Sequence, residues 1–192
     1  MEELTLDALI AKIKDNDDKV RTAAWQAAGS VGAAAIGPLA GVVKDGQLEV
    51  SRAANRAMWQ IVRHSGRPGA DEEKKATAGA LLAVFRDEQQ PVPLRRDIIW
   101  MLSEIVDDAM IDPAAAATVF ADPDLREDVR AGLQRVGGPN AIAALKAGLD
   151  TAPEDFKPSI ACGLRALGVD VPDVPCLKLK PTKATNVKPV GR

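Results

Sequence analysis

The residues able to do covalent or metal chemistry are few. His64 is the only histidine in 192 residues, and the two cysteines are Cys162 and Cys176. One histidine excludes a multi-histidine metal cluster, because such sites need several imidazole, thiolate or carboxylate donors converging on one point. A nucleophilic relay needs a base within hydrogen-bond reach of its nucleophile. His64 stands beside a run of glycine and proline with no pattern that pairs it to a serine or cysteine. Cys162 falls in a helical stretch and Cys176 near the chain end, neither next to a histidine. Two cysteines supply neither a disulfide framework nor a zinc site. The glycines close periodic segments and form no phosphate-cradling loop. The chain therefore reads as a non-enzyme with no metal and no cofactor.

What remains is the chemistry of recognition. Trp25, Trp59 and Trp100 recur among arginines. A tryptophan offers a flat face to apolar or cationic groups, and an arginine grips carboxylate or phosphate through two parallel hydrogen bonds. Both are the commonest anchors of protein interfaces. Whether they share a face depends on the elements that carry them.

Composition limits those elements. Apolar residues make up 46% and aromatics 3%, with no tyrosine. A core of Ala, Leu, Ile and Val favours closely packed helices over a sandwich or barrel, which draws on β-branched and aromatic residues. The formal charge of −2 gives no global argument for nucleic acid, but the average hides a split. Lys178, Lys180, Lys183, Lys188 and Arg192 make the last 15 residues +5, whereas the first 177 hold 20 bases and 27 acids. The opening MEELTLDALIAK lacks a basic leader followed by an apolar run, and no stretch of 18 apolar residues occurs. These features predict no membrane span and a reducing, cytoplasmic location.

An internal repeat organises the chain. Residues 17–32, DDKVRTAAWQAAGSVG, align with residues 122–137, DPDLREDVRAGLQRVG. The same frame recurs at Val20, Val50, Leu94, Leu125 and Phe156, steps of 30, 44, 31 and 31 residues. Counting each of these as zero, apolar positions fall at 0, +4, +7, +8 and +11. Leu94, Ile98, Met101, Leu102 and Ile105 are one such set. This spacing makes one stripe on a helix of 3.6 residues per turn. A second helical pattern precedes each copy, at 6–14, 34–43, 72–86, 112–120 and 140–149. Each unit thus reads as helix A, turn, helix B. Asp17 or Asp18 and Asp122 are placed as N-caps. Pro38, Pro93, Pro113, Pro123 and Pro153 suit first turns, and Gly32, Gly137 and Gly168 suit helix ends. One hairpin leaves its apolar stripe bare, so the array is the unit of stability.

The residues Val20-Arg21, Ala24, Ala27-Ala28 and Val31-Gly32, then Ile36 and Pro38-Leu39, with their equivalents through Leu167-Gly168, resemble the short HEAT-like repeats of the phycobilisome-lyase type. The resemblance covers about residues 4–168. Ser51 and Lys157 stand where its arginine is expected. It implies an all-α fold, an α-α superhelix (solenoid) of about five HEAT-like hairpins over 1–168, with B helices starting near 18, 48, 93, 123 and 154. It also implies that the B helices line the inner, concave surface. Positions +2, +5, +6, +9 and +13 lie roughly 130–180° from the core stripe. They hold Trp25, Arg52, Arg56, Trp59, Arg63, Arg96, Trp100, Arg130 and Arg165, against the acids Asp107 and Glu127. On an acidic body this face is basic and aromatic.

The expectation is a protein-binding scaffold or adaptor whose concave face takes an acidic or extended segment of another protein. The competing account has the tryptophans wedged between B helices and the arginines paired with acids such as Asp97 and Glu104. A second functional reading is a nucleic-acid-binding relative of HEAT-like alkyl-base DNA glycosylases, for which Trp100 and Glu104 stand one helical turn apart. A bilin lyase-like protein or accessory subunit is a third. The further row Arg21, Arg95, Arg126 and Lys157, at +1, reads as ion pairing between repeats.

Two segments depart from the repeat. Residues 63–71, RHSGRPGAD, account for the 44-residue step and read as a loop, either a tolerated insertion or a partner contact. Residues 169–192 form a Pro/Lys-rich tail, extended in character. It either caps the last repeat, docks on a partner or stays free.

Overall fold

The computed structural model describes residues 4–175. Among them the chain is all helical, with no strand. In chain order the helices are α1 (Leu6–Ile13), α2 (Asp18–Ala27), α3 (Ile36–Asp45), α4 (Leu48–Ser65), α5 (Asp71–Arg86), α6 (Val92–Ile105), α7 (Pro113–Thr118), α8 (Arg126–Val136), α9 (Gly138–Thr151) and α10 (Lys157–Ala166). Short 3-10 segments cover Ala28–Ala35, Asp108–Met110 and Val119–Ala121.

Local chemistry sets many of the boundaries. Thr5 Oγ1 accepts the Ala8 amide and Asp17 the Lys19 amide, so α1 and α2 begin with otherwise unpaired N–H groups satisfied. Asp112 accepts two amides of α7, and Pro113 takes the first helical position, where its missing N–H removes no bond. Gly32 and Gly137 carry φ of 73° and 67°, the left-handed backbone that turns the chain out of one helix and into the next. Gly32 also interrupts the stretch Asp18–Asp45, which by length and composition alone would suffice to cross a membrane.

Packing runs between neighbours. Among even-numbered helices α2 packs on α4, α4 on α6, α6 on α8 and α8 on α10. Among odd-numbered ones α3 packs on α5 and α7 on α9, but no packing of that extent joins α5 to α7. The core divides at the same level. One buried cluster runs from Leu9 to Ile105, and a second from Ile99 to Val171. Alanines such as Ala54, Ala57, Ala144 and Ala161 are fully buried beside Met58, Ile61, Leu145 and Leu164. Small side chains at these positions let the helices approach closely. Each fully buried Leu or Ile contributes roughly 1.5–3 kcal/mol.

The expected 63–71 loop is shorter than its composition suggests. Arg63, His64 and Ser65 complete the last turn of α4, and the break falls at residues 66–70. Burial moves the boundary: Ile61, Val62 and Ser65 are inside, and the Ser65 hydroxyl meets that of Thr77 on α5 at 2.8 Å. Arg67 then forks onto Glu73 at 2.6 and 2.7 Å, closing the turn. At the other end, residues 169–175 lie over the last hairpin. Val171 is buried, and the Arg165 guanidinium donates to the carbonyls of Val171 and Val174. The remainder of the tail, with Cys176 and the lysines, lies outside the described residues.

Candidate functional site

The even-numbered helices carry all nine of the anchors picked out by spacing. Arg56 on α4 extends across to α2, its guanidinium 5.8 Å from the centre of the Trp25 ring. Two turns on, Arg63 lies 5.8 Å from the ring centre of Trp59. Arg56 and Arg63 are exposed, and neither has a carboxylate partner among the described residues. The Trp25 Nε1–H is buried without an acceptor, so packing and the Arg56 cation hold this indole without a hydrogen bond. Arg52 completes the group, paired only with Glu49 one turn away in an exposed contact of 2.7 Å. Exposed pairs of that kind contribute little and exchange readily.

The other anchors are engaged. The Trp100 indole N–H donates to Asp128 on α8 at 2.9 Å. Arg96 donates to the Asp124 carbonyl at 2.8 Å and lies 3.4 Å from an Asp128 oxygen. Arg130 holds Glu127 at 2.6 Å and Gln134 at 2.6 Å. Arg165 turns towards the chain's own carbonyls at 171 and 174. The two acids of the set are occupied as well, Asp107 by Lys74 and Glu127 by Arg130. The predicted face is thus two regions. On α2 and α4 it offers exposed cations over indoles. From α6 to α8 its charges pair internally with acids, and on α10 Arg165 is taken up by backbone carbonyls.

Spacing missed the groups that bridge α4, α6 and α8. Asn55 donates to Asp97 at 2.6 Å, and Asp97 is half-buried. Burial pushes the Asp97 carboxyl above its ordinary range, the Asn55 bond offsets part of this, and nearby Asp128 adds to the rise. No local pattern joins Asn55 to Asp97, 42 residues away.

The +1 row divides similarly. Arg126 reaches Asp155 of the next hairpin at 2.7 Å. Arg95 lies 3.9 Å from Asp122 and stacks on Phe85. Arg21 and Lys157 instead pair within their own hairpins, with Asp18 and Glu154. Of the other expected partners, Glu104 is held by Arg135 at 2.6 Å, so Trp100 and Glu104 face different neighbours. His64 Nε2 stands 4.0 Å from Glu73, whose carboxyl Arg67 already grips and holds below its usual range.

No protein-family model matches this chain, and no curated protein matches it.

Proposed function

We propose that the protein is a non-catalytic scaffold. Its five hairpins stack as a HEAT-like α-α superhelix, and the α2–α4 part of the even-helix face binds an acidic, extended segment of another protein. The observation that carries this reading is the pairing of Arg56 with Trp25 and Arg63 with Trp59. Elsewhere on the face Arg52, Arg96 and Arg130 sit against aspartate or glutamate, and Arg165 against backbone carbonyls. Here two exposed cations lie on aromatic surface and lack an acid, as an incoming carboxylate requires. The indoles hold each guanidinium in place, which lowers the ordering cost of a new ion pair. Trp59 adds apolar contact between them.

Arg56 and Arg63 stand two helical turns apart, about 10 Å along α4 at 1.5 Å per residue. An extended peptide spans that distance in about three residues at roughly 3.3 Å each. The partner therefore carries carboxylates two or four positions apart, on one side of its extended chain. The test is fluorescence anisotropy with labelled acidic peptides, on the full chain and on a folded Arg56→Ala/Trp59→Ala/Arg63→Ala variant. The reading expects at least a tenfold loss of affinity in the variant and weakening with salt. Equal binding by both proteins removes the face from consideration. Tight, strongly salt-dependent binding of duplex DNA lost in the same variant would favour nucleic acid instead.

A further inference from the structure

Between α5 and α7 lies a cleft of about 460 Å³, within the size range of small-molecule sites, about 300–1,000 Å³. It sits where the two buried clusters part, and Phe85 packs against both. None of its lining residues belongs to α2 or α4, so it is separate from the Arg56 face. The floor is closed: Ile99, Val129 and Leu133 are buried. The walls above it are apolar but only partly buried, at Leu102, Val106, Met110, Ile111 and Val119.

The run of the helices gives this cleft a charged end and an apolar end. Phe85 and Arg86 close α5, Arg95 opens α6, and Asp122 precedes α8. Contacts of Arg95 with Phe85 and Asp122 bring these groups together. Val106, Met110 and Ile111 follow α6 and line the other end. Asp112, also at that end, is already the cap of α7. Along α6 the two ends lie about 16 Å apart at about 1.5 Å per residue.

Arg95 decides the sign of a ligand's head group. Its side chain is only 15% exposed and stacks on the Phe85 ring at 5.2 Å. Its Nε–H donates to the Phe85 carbonyl at 3.0 Å. Asp122 stands 3.9 Å away, too far for a hydrogen bond, and accepts the Asp124 amide instead. Asp87, also near Arg95, is held by Gln90 and the Gln89 amide. The terminal N–H groups of Arg95 therefore have no hydrogen-bond acceptor among the described residues. Glu88 at the same rim is unpaired as well, and so is Arg86, but both are exposed, where a charge contributes little. A guanidinium largely out of water gains more from a carboxylate that takes two of its N–H groups.

We propose that this cleft binds a linear carboxylic acid of the fatty-acid type, with its carboxylate on Arg95 and its chain lying past Leu102 towards Met110 and Ile111. The chain covers apolar side chains that the described fold leaves partly exposed, which drives binding, and Arg95 sets its direction.

The test is methyl NMR on the full chain, titrated with dodecanoate, dodecylammonium or dodecanol, each below its micelle-forming concentration. Dodecanoate should shift the methyl signals of Ile99, Met110 and Ile111 saturably. Those of Ile13 and Met58, in the first cluster and away from the cleft, should stay in place. Dodecanoate should bind at least about tenfold more tightly than the other two, the effect of one charge-assisted pair. Arg95→Gln should abolish that preference while the folded spectrum persists. If Arg95→Gln unfolds, Ala115→Phe decides: it keeps Arg95, adds a ring on an exposed part of the cleft wall, and should weaken dodecanoate at least about tenfold by occupying the chain's path. Four results would each overturn the proposal: no saturable shift, equal shifts at Ile13 and Met58, equal or tighter binding of dodecylammonium or dodecanol, or undiminished dodecanoate binding by a folded variant.

Discussion

The Trp100 indole N–H and the Asp128 carboxylate meet at 2.9 Å, joining α6 to α8 across 28 residues of sequence. A tryptophan that spacing marks as an interface anchor is thus committed to internal structure. Replacing it by phenylalanine keeps an aromatic ring and deletes the donor. A hydrogen bond to a charged group contributes about 1.5–3 kcal/mol, so Trp100→Phe should lose roughly that much stability in urea unfolding. Acidic-peptide binding should stay within twofold. A wild-type midpoint would show that the bond contributes nothing.

Asp97 should make stability depend on pH in the sense opposite to a salt-bridged acid. Its folded-state pKa is raised, chiefly by burial, so the folded chain holds the proton more tightly than the unfolded chain. That preference is fully present below the unfolded value and disappears as pH rises through the folded one. Asp97→Asn removes the ionisation and can return a hydrogen bond to the buried, unpartnered Oδ1 of Asn55. The variant should therefore have a higher unfolding midpoint than wild type at pH 7, with the gap narrowing towards pH 3. A gap that widens on acidification would contradict the assignment.

Ser65 and Thr77 form a buried hydroxyl pair at 2.8 Å. Ser65→Ala leaves the Thr77 hydroxyl without that partner and should cost about 1–3 kcal/mol. Thr77→Val in the same protein removes the orphan and should recover most of the loss. The check is a double-mutant cycle in denaturant. Additive losses would mean that the two hydroxyls do not depend on each other.

Two glycines should respond oppositely to alanine. A Cβ at Gly148 would stand 2.4 Å from the Phe120 ring, an overlap that typically costs about 1–3 kcal/mol. At Gly79, exposed on α5, nothing lies within 4 Å. Alanine there should stabilise by about 0.5–1 kcal/mol through lower backbone entropy in the unfolded chain. Thermal melts of the two variants decide the matter.

Helix positions were legible because they rest on short-range rules. Apolar residues four, three, one and three apart mark a helical stripe, while Asp17, Gly32 and Gly137 mark ends through their own hydrogen bonds or φ; Asp122, expected as an N-cap, instead accepts the Asp124 amide in the turn before α8, whose N-cap is Leu125. Arg63–Ser65 were misplaced because composition signals a loop there, whereas burial of Ser65 against Thr77 keeps the helix going.

Sequence alone marked the helical segments, the last turn of α4 apart, and the apolar side of each, since both follow from contacts within a few residues. It also placed the anchor arginines and tryptophans together on the even-numbered helices. Tertiary structure decided how those side chains are used. Asp124 and Asp128 come to Arg96 and Trp100 from the next hairpin and Arg56 comes to the Trp25 indole, whereas Glu127–Arg130 and Trp59–Arg63 are contacts within one helix. The cleft between α5 and α7 is a tertiary outcome too, because a gap exists only where two helices fail to meet. The physical reason is range: a helix forms from neighbours along the chain, but an ion pair between helices or a void depends on residues that folding alone brings near.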